Sequence, residues 1–175
     1  MTLVMGAVAY DPKVVTIWEG FRRFFADRGL PFDFVLYSNY ERQAEDLVAS
    51  RIDAAWNSPL AWIRSDRLAR ASGISLEAAV MRDTDRDLRS LIVVRADSGL
   101  ESLPQLADRI VATGAIDSPQ ANLLPLSLLR QHGLAAGKNL TVRRFDVGVG
   151  LHGDHIGGER DAARALTAGA VDAAC

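Results

Sequence analysis

The chain has 175 residues, of which 20 are basic and 22 acidic, giving a net charge of −2. No Lys/Arg cluster stands out, and this disfavours nucleic-acid binding, which depends on such a patch. The single cysteine, Cys175, excludes an intramolecular disulfide and leaves the redox compartment open. No apolar stretch is long enough to predict a membrane span.

The first ten residues are apolar, but they lack a basic leader and are too short for a secretory signal. They are better explained as the first buried strand. We therefore expect a cytoplasmic protein if this N-terminus is native. If a signal sequence was removed, we expect a periplasmic or membrane-associated one.

The first part of the chain alternates strand and helix patterns. Strands are predicted at 3–9, 33–37 and 52–56, and helices at 14–28 and 40–50, from apolar residues at helical spacing and a Gly stop at residue 29. Ser38-Asn39 is a plausible cap for the second helix. The β-α-β-α-β order predicts a parallel sheet with right-handed crossovers.

The rest of the chain also contains both strand and helix patterns. Helices are predicted at 60–72, 102–106, 122–132 and 160–168, and an exposed charged link at 83–87. Strands are predicted at 76–81, 91–94, 110–112, 140–145 and 171–174, with a long Gly-rich loop at 146–159. The fold class is therefore α/β, with parallel-rich sheets flanked by helices.

One helix-strand unit occurs twice. At an offset of 119 residues, Leu47 matches Leu166, and the run Asp-Ala-Ala at 53–55 matches the same run at 172–174. The shared Leu-x5-Asp-Ala-Ala spacing predicts one α/β unit in each of two lobes. In this register Cys175 lies opposite Trp56, inside the second strand. We therefore expect the sequence to be a fragment whose missing C-terminal part completes the second lobe.

Polar residues follow several of the predicted strands. Because the carboxyl ends of parallel strands share one edge of a sheet, these turns should converge there. Helix N-termini at that edge offer free N–H groups and a partial positive charge, which favours a small polar or anionic ligand. Each turn taken alone is also explained as a helix cap. The turns are Tyr10-Asp11, Ser38-Asn39-Tyr40, Asn57-Ser58, Asp117-Ser118 and the segment from His152 to His155.

The Gly-rich loop carries a group of possible metal ligands, His152, Asp154, His155 and Glu159. Three interpretations are open: a metal site, direct ligand contact, or a loop with ordinary solvated histidines, since a catalytic zinc requires three protein ligands in controlled geometry. A nucleophile and base built from Ser118 and His152 is conceivable, but no sequence signal brings them together. No catalytic residue, metal or cofactor is therefore predicted.

The aromatic residues divide into two groups. Tyr37 and Trp62 are expected to pack in the core or against helices. Tyr10 and Tyr40 lie at strand exits, where a phenol can either pack or contact a ligand.

Two segments resemble a known family. Residues 91–106, read Leu-Ile-Val-Val-Arg-Ala-Asp-Ser-Gly-Leu-Glu-Ser-Leu-Pro-Gln-Leu, precede a strand and then Asp117-Ser118, which opens a helix near Pro125. This pattern resembles the solute-binding proteins of phosphate/phosphonate ABC transporters. Residues 51–60 resemble that family's strand and turn x-I-D-x-A-x-x-x-P, and His152 falls where the family often carries a His. The resemblance covers essentially the whole chain.

The resemblance implies a two-lobe, type 2 periplasmic-binding-protein-like fold that closes on a ligand between hinged lobes. It implies lobe one at 1–88 and lobe two at 89–175, with 89–94 as the crossing strand. Pro119 and Gln120 follow Ser118 where the family is usually rich in Ser, Thr and Gly. The ligand contacts that it implies are Tyr10, Tyr40, Asn57, Ser58, Ser90, Asp117, Ser118 and His152.

Three functions are compatible with these observations. The first is a solute-binding protein for ABC-type uptake of a small polar or anionic, phosphate- or phosphonate-like ligand, with an ABC permease as partner. The second is a cytoplasmic enzyme on the same fold, acting on a small organic acid or cofactor precursor. The third is a ligand-sensing regulatory domain. The absence of a nucleophile or base motif favours binding over catalysis, but the fold alone does not decide.

Overall fold

The structure is a computed structural model that describes residues 1–9, 11–146 and 158–175. The chain forms two compact units. Unit 1 comprises Met1–Val80, and unit 2 comprises the described residues from Met81 onward. The predicted lobe boundary between residues 88 and 89 stays a prediction.

Unit 1 is a parallel sheet flanked by helices. Its strands are β1 (Leu3–Val8), β2 (Phe32–Tyr37) and β3 (Ala54–Ala55), in the order β2-β1-β3. Its helices are α1 (Lys13–Ala26), α2 (Tyr40–Val48) and α3 (Pro59–Ala71). The predicted β-α-β-α-β series is confirmed, although β3 is shorter than the predicted strand 52–56.

Both faces of the unit 1 sheet are covered. Successive residues of a strand point to opposite faces, so the buried pair Ala7 and Val8 enters two different clusters. On the Ala7 face, Trp18 of α1 stacks on Phe32, with ring centroids 6.4 Å apart. On the Val8 face lie Tyr37, Tyr40, Ile52 and Ala61. The sheet is thus held rigidly between helices at its two faces.

Unit 2 has a mixed sheet in the order β4-β7-β5-β6. Its strands are β4 (Val93–Val94), β5 (Ile110–Thr113), β6 (Thr141–Arg144) and β7 (Ala173–Ala174), with β4 antiparallel to β7 and the other pairs parallel. Its helices are α4 (Asp83–Arg86), α5 (Leu124–Gln131) and α6 (Gly158–Thr167). A π-helical turn, Pro119–Leu123, precedes α5, and 3-10 turns lie at Ala96–Ser98 and Leu103–Leu106.

One sequence prediction in the connecting region was wrong. Residues 76–81 are not a strand: they pair with no strand in the described parts of the chain, and Val80 is 88% exposed. A largely apolar segment does not form a strand without a neighbouring strand to complete its hydrogen bonds. Residues 83–87, predicted as a link, contain the short helix α4. Among the described residues, no helix has the length and apolar character needed to cross a membrane.

The predicted repeat is confirmed by matching backbone geometry. β3 pairs with β1 through Met5 and Ala54, and β7 pairs with β5 through Val111 and Ala173, both in parallel. The carboxylate of Asp53 accepts from the Val4 N–H at 2.8 Å, and that of Asp172 accepts from the Ile110 N–H at 2.8 Å. Each aspartate also donates its own N–H to the carbonyl of the same strand residue, at 2.9 and 2.8 Å. The repeated aspartate therefore sets the register at the start of each central strand.

Candidate functional site

In unit 1, two helices begin directly after a strand and are capped by side chains. The Asn39 side chain accepts from the Arg42 N–H at 2.8 Å at the start of α2. The Ser58 hydroxyl accepts from the Ala61 N–H at 3.2 Å at the start of α3. Both starts lie at the carboxyl edge of the sheet, where remaining helix N–H groups favour acceptor atoms and negative charge.

Asn57 lies between β3 and α3 and is held by a residue that the sequence analysis missed. Gln43 on α2 is fully buried at 0% exposure. Its Nε2 donates to the Asn57 Oδ1 at 2.8 Å and to the Trp56 carbonyl at 3.1 Å. Asn57 itself is half-buried. The available signal was a polar residue on the apolar face of an amphipathic helix, next to Ala44.

The two tyrosines of this region are buried. Tyr40 is 6% exposed and belongs to the core cluster with Val8 and Ile52, so its ligand contact stays a prediction. Tyr37 is 7% exposed, and its predicted core position is confirmed. The Tyr37 hydroxyl donates to the Asp46 carboxylate at 2.9 Å. Burial, followed by this hydrogen bond and the negative charge of Asp46, raises the pKa of Tyr37 to about 12.

In unit 2, Ser118 acts as a helix cap. Its side chain accepts from the Ala121 N–H at 3.2 Å, and the N–H groups of Asn122 and Leu123 donate to its carbonyl at 3.1 and 3.0 Å. Ser118 is 2% exposed, while the neighbouring Asp117 is half-buried. The cap explanation thus accounts for the side chain of Ser118, and ligand contact by either residue stays a prediction.

Ser90 lies beside the same helix start. Its hydroxyl donates to the carbonyl of Gln120, two positions after Ser118. The structure therefore brings Ser90 to the turn that follows Asp117-Ser118, although Ser90 lies 30 residues before Gln120 in the sequence. An apolar groove of unit 2 runs alongside and is lined by Arg89, Ser90, Leu91, Ile92, Leu103, Leu124, Pro125 and Leu128.

The exit of β5 carries polar groups that the sequence analysis did not select. The Asn122 Nδ2 donates to the Ile116 carbonyl at 2.7 Å, and the Asp146 carboxylate accepts from the Ile116 N–H at 3.1 Å. The Asn122 Oδ1 and the Thr113 Oγ1 are buried and have no hydrogen-bond partner within the described part of the chain. Most buried polar atoms in folded proteins have a hydrogen-bond partner, so these two atoms are exceptions within the described part of the chain.

Tyr10, His152, Asp154 and His155 lie outside the described residues, so their predicted roles stay predictions. Glu159 lies in the first turn of α6. Within residues 1–9, 11–146 and 158–175, no group of three or more His, Cys, Asp or Glu side chains could hold a metal ion.

A family model matches residues 7–175 of the chain, and its description is ABC transporter, phosphonate, periplasmic substrate-binding protein. No curated protein sequence gives a significant match.

Solved structures of similar shape come from several bacteria. PhnD1 from Prochlorococcus marinus, in complex with methylphosphonate, matches with a TM-score of 0.61 at 19% identity, over 99% of this chain and 62% of its own. A binding protein component of an ABC phosphonate transporter from Pseudomonas aeruginosa has a TM-score of 0.51 at 15% identity, over 99% of this chain and 56% of its own. The periplasmic aliphatic sulphonate binding protein SsuA from Escherichia coli has a TM-score of 0.50 at 19% identity, over 98% of this chain and 52% of its own. The chain thus spans less than two thirds of these structures, and at such identities the likeness shows the fold alone.

Proposed function

The chain belongs to the family of phosphonate-binding periplasmic proteins of ABC transporters, and from this premise we propose that it binds a small oxyanion of the phosphonate class for uptake. The expected type 2 periplasmic-binding-protein-like fold is confirmed, because both units are α/β and the similar structures have this fold. Neither the family nor these structures favour the enzyme or the regulatory-domain alternative.

The observation that carries the proposal is the carboxyl edge of the unit 1 sheet. There the starts of α2 and α3 come with neutral polar side chains, Asn39, Asn57 and Ser58, of which Asn39 and Ser58 cap the helices. Neutral donors and helix N-termini stabilise an anion without imposing a fixed positive charge. This chemistry suits a phosphonate, a phosphate or a sulfonate better than a cation.

The ligand contacts form part of the proposal. We assign them to the residues that the family resemblance implies, several of which follow strands. In unit 2 the groups concerned surround the start of the Pro119–Leu123 turn. The full set is Tyr10, Tyr40, Asn57, Ser58, Ser90, Asp117, Ser118 and His152. A periplasmic location and an ABC permease as partner follow from the same proposed function.

The first experiment is a thermal-shift panel on the complete protein with methylphosphonate, phosphate, sulfate, methanesulfonate and small organic acids. A ligand that binds the native state alone adds about 2.7 kcal/mol of stability at 100 times its dissociation constant. We expect a saturable shift with one oxyanion class, and recovery of that ligand unchanged. A shift with organic acids alone, or turnover of the ligand, would contradict the proposal.

Two substitutions test the site with different expected outcomes. Asn57→Ala should weaken oxyanion binding by about 1 to 3 kcal/mol, because a buried hydrogen-bond partner is lost, and should leave folding nearly intact. Ser118→Ala should also lower the free energy of unfolding by about 0.5 to 2 kcal/mol, since it removes a helix cap. Ser127→Ala, at an exposed position of α5, is the control. Unchanged affinity in both site variants would remove these two turns from the binding site.

A further inference from the structure

At one buried position that faces the sheet, one copy of the repeated unit has a polar side chain and the other an apolar one. At the offset of 119 residues, Gln43 on α2 corresponds to Ala162 on α6. Both residues are 0% exposed, and Ala162 belongs to an apolar cluster with Ala112 and Leu166. Unit 2 therefore shows that this helix-strand packing forms without a buried amide at this position.

In unit 1 a glycine lies against Gln43, Ile52 and Tyr37. In the strand pairing, Gly6 corresponds to Ala112, since Gly6 pairs with Ala55 and Ala112 pairs with Ala174. A Cβ on Gly6 would lie 3.2 Å from the Gln43 Cγ and 2.5 Å from the Ile52 Cδ1. Where unit 2 has the small apolar residues Ala112 and Ala162, unit 1 has Gly6 and the buried polar side chain of Gln43.

This buried amide carries a free-energy cost. The Gln43 Oε1 is buried and has no hydrogen-bond partner in the described residues. An unsatisfied buried acceptor destabilises a fold, and unit 2 shows that the scaffold does not require it. The benefit of Gln43 therefore lies in what its Nε2 holds, which is Asn57 together with the Trp56 carbonyl that precedes it.

The hydrogen bonds fix which way the Asn57 amide points. A backbone carbonyl is an acceptor alone, so the Gln43 group that meets the Trp56 carbonyl at 3.1 Å must be its Nε2 donor. The same Nε2 meets Asn57 at 2.8 Å, so the Asn57 atom on that side must be the acceptor Oδ1. The Asn57 Nδ2 is then on the side away from Gln43, and no hydrogen bond from it to a described residue is present.

We propose that Gln43 is a positioning residue that holds Asn57 with its Nδ2 amide presented outward, so that unit 1 selects ligands by their acceptor atoms. The selectivity rests on the proposed oxyanion-binding function, whereas the orientation of the amide does not. Gln43 acts through Asn57 and does not itself touch the ligand. The ligand class this favours is an oxyanion whose oxygens accept from N–H groups, over a ligand that presents an ammonium or amide donor.

The orientation is tested without ligand by measuring side-chain amide hydrogen exchange with NMR. In the wild-type protein the Gln43 NH₂ should be strongly protected, and the Asn57 NH₂ should exchange much faster. In Gln43→Met the donor that holds the Asn57 Oδ1 is removed, so the NMR signals of the Asn57 NH₂ should shift. Protection of the Asn57 NH₂ in the wild type would overturn the assignment.

The positioning role of Gln43 is tested by calorimetric titration with methylphosphonate and methanesulfonate. Gln43→Met removes the donor at similar length and without charge, and it should weaken binding about 10- to 100-fold. In an Asn57→Ala background the same substitution should cause no further loss, because the residue through which Gln43 acts is gone. Gln131→Met, at an exposed position of α5, should bind as the wild type does.

The outcomes separate the two proposals. If the wild type binds no oxyanion, the proposed function fails and the exchange measurement alone decides the orientation of Asn57. If the wild type binds but Gln43→Met binds equally well, the positioning role is wrong. Equal losses in both backgrounds would show that Gln43 affects binding through general stability, which also overturns the proposal.

Discussion

The two units are alike at the start of their central strands and differ at the other end. At the start, Asp53 and Asp172 accept from strand N–H groups at the same distance, 2.8 Å, in the same parallel register. Toward the carboxyl end, unit 1 combines Gly6 with Gln43, and unit 2 combines Ala112 with Ala162. The shared aspartates set the strand register, whereas Gln43, which unit 2 lacks, holds Asn57, one of the proposed ligand contacts.

This difference separates two kinds of residue that sequence analysis treats alike. A buried residue is usually explained by packing, and most of the repeat is. Gln43 is buried as deeply as Ala162, yet its amide serves a turn that carries ligand-binding candidates. Under the proposed function, the comparison of the two copies separates a buried residue that packs from one that positions a ligand contact.

The largest effect is expected from Leu166→Ala and its counterpart Leu47→Ala. Leu166 is 7% exposed inside its cluster, so its truncation should lower the free energy of unfolding by about 2 to 5 kcal/mol. Leu47 is half-buried against its cluster, so its truncation should cost less, about 1 to 2 kcal/mol. Urea unfolding of both variants checks this order. A larger loss for Leu47 would mean that the two helices do not occupy equivalent places.

Much of the fold could be predicted from local patterns. The repeat was visible because Leu-x5-Asp-Ala-Ala contains a packing residue, a residue that sets the strand register and the strand itself. These three features lie within a few residues of one another, so they form a pattern that sequence comparison detects. The Asn39 cap was predicted because capping depends on residues three positions apart. The failed strand at 76–81 shows the limit, since strand formation depends on a distant partner that periodicity does not reveal.

The site was harder to predict for the same reason. Asn57 and Ser118 were selected because they follow strands, but their different environments arise from tertiary packing. Gln43 was missed because it lies 14 residues before Asn57, and its partner becomes apparent only when α2 packs beside β3. Side-chain hydrogen bonds between elements have no fixed sequence spacing, so they need the structure.

An intermediate effect is expected from the matched pair Asp53→Ala and Asp172→Ala. Each removes an acceptor for one strand N–H, so each should lower the free energy of unfolding by about 1 kcal/mol. Asn at either position keeps an acceptor oxygen and should recover most of the loss. Thermal unfolding of the four variants provides the measurement. Asp172 also lies 3.6 Å from Arg109, at a partly exposed position where an ion pair contributes little. A loss in one unit alone would show that the aspartates are not equivalent.

The last prediction concerns alkaline pH and again compares the units. Burial raises the pKa of the Cys175 thiol from 9.0 to about 12 in unit 2, as burial and Asp46 raise that of Tyr37 from 10.0 to about 12 in unit 1. Both groups hold their proton more tightly when folded, so their contribution to stability is present below the unfolded pKa and is lost as pH rises toward 12.

Substitutions separate the two contributions. Cys175→Ala should reduce the decline in stability that begins near pH 9, the ordinary pKa at which the thiol of the unfolded chain loses its proton. Tyr37→Phe should reduce the decline that begins near pH 10, the ordinary pKa of the phenol. The measurement is the urea midpoint of wild type and both variants at intervals between pH 8 and pH 11, compared as differences so that other titrating groups cancel. Parallel curves for all three proteins would show that neither group is more strongly protonated in the folded state. A change in Tyr37→Phe alone would place the effect in unit 1, where the hydroxyl is held by Asp46.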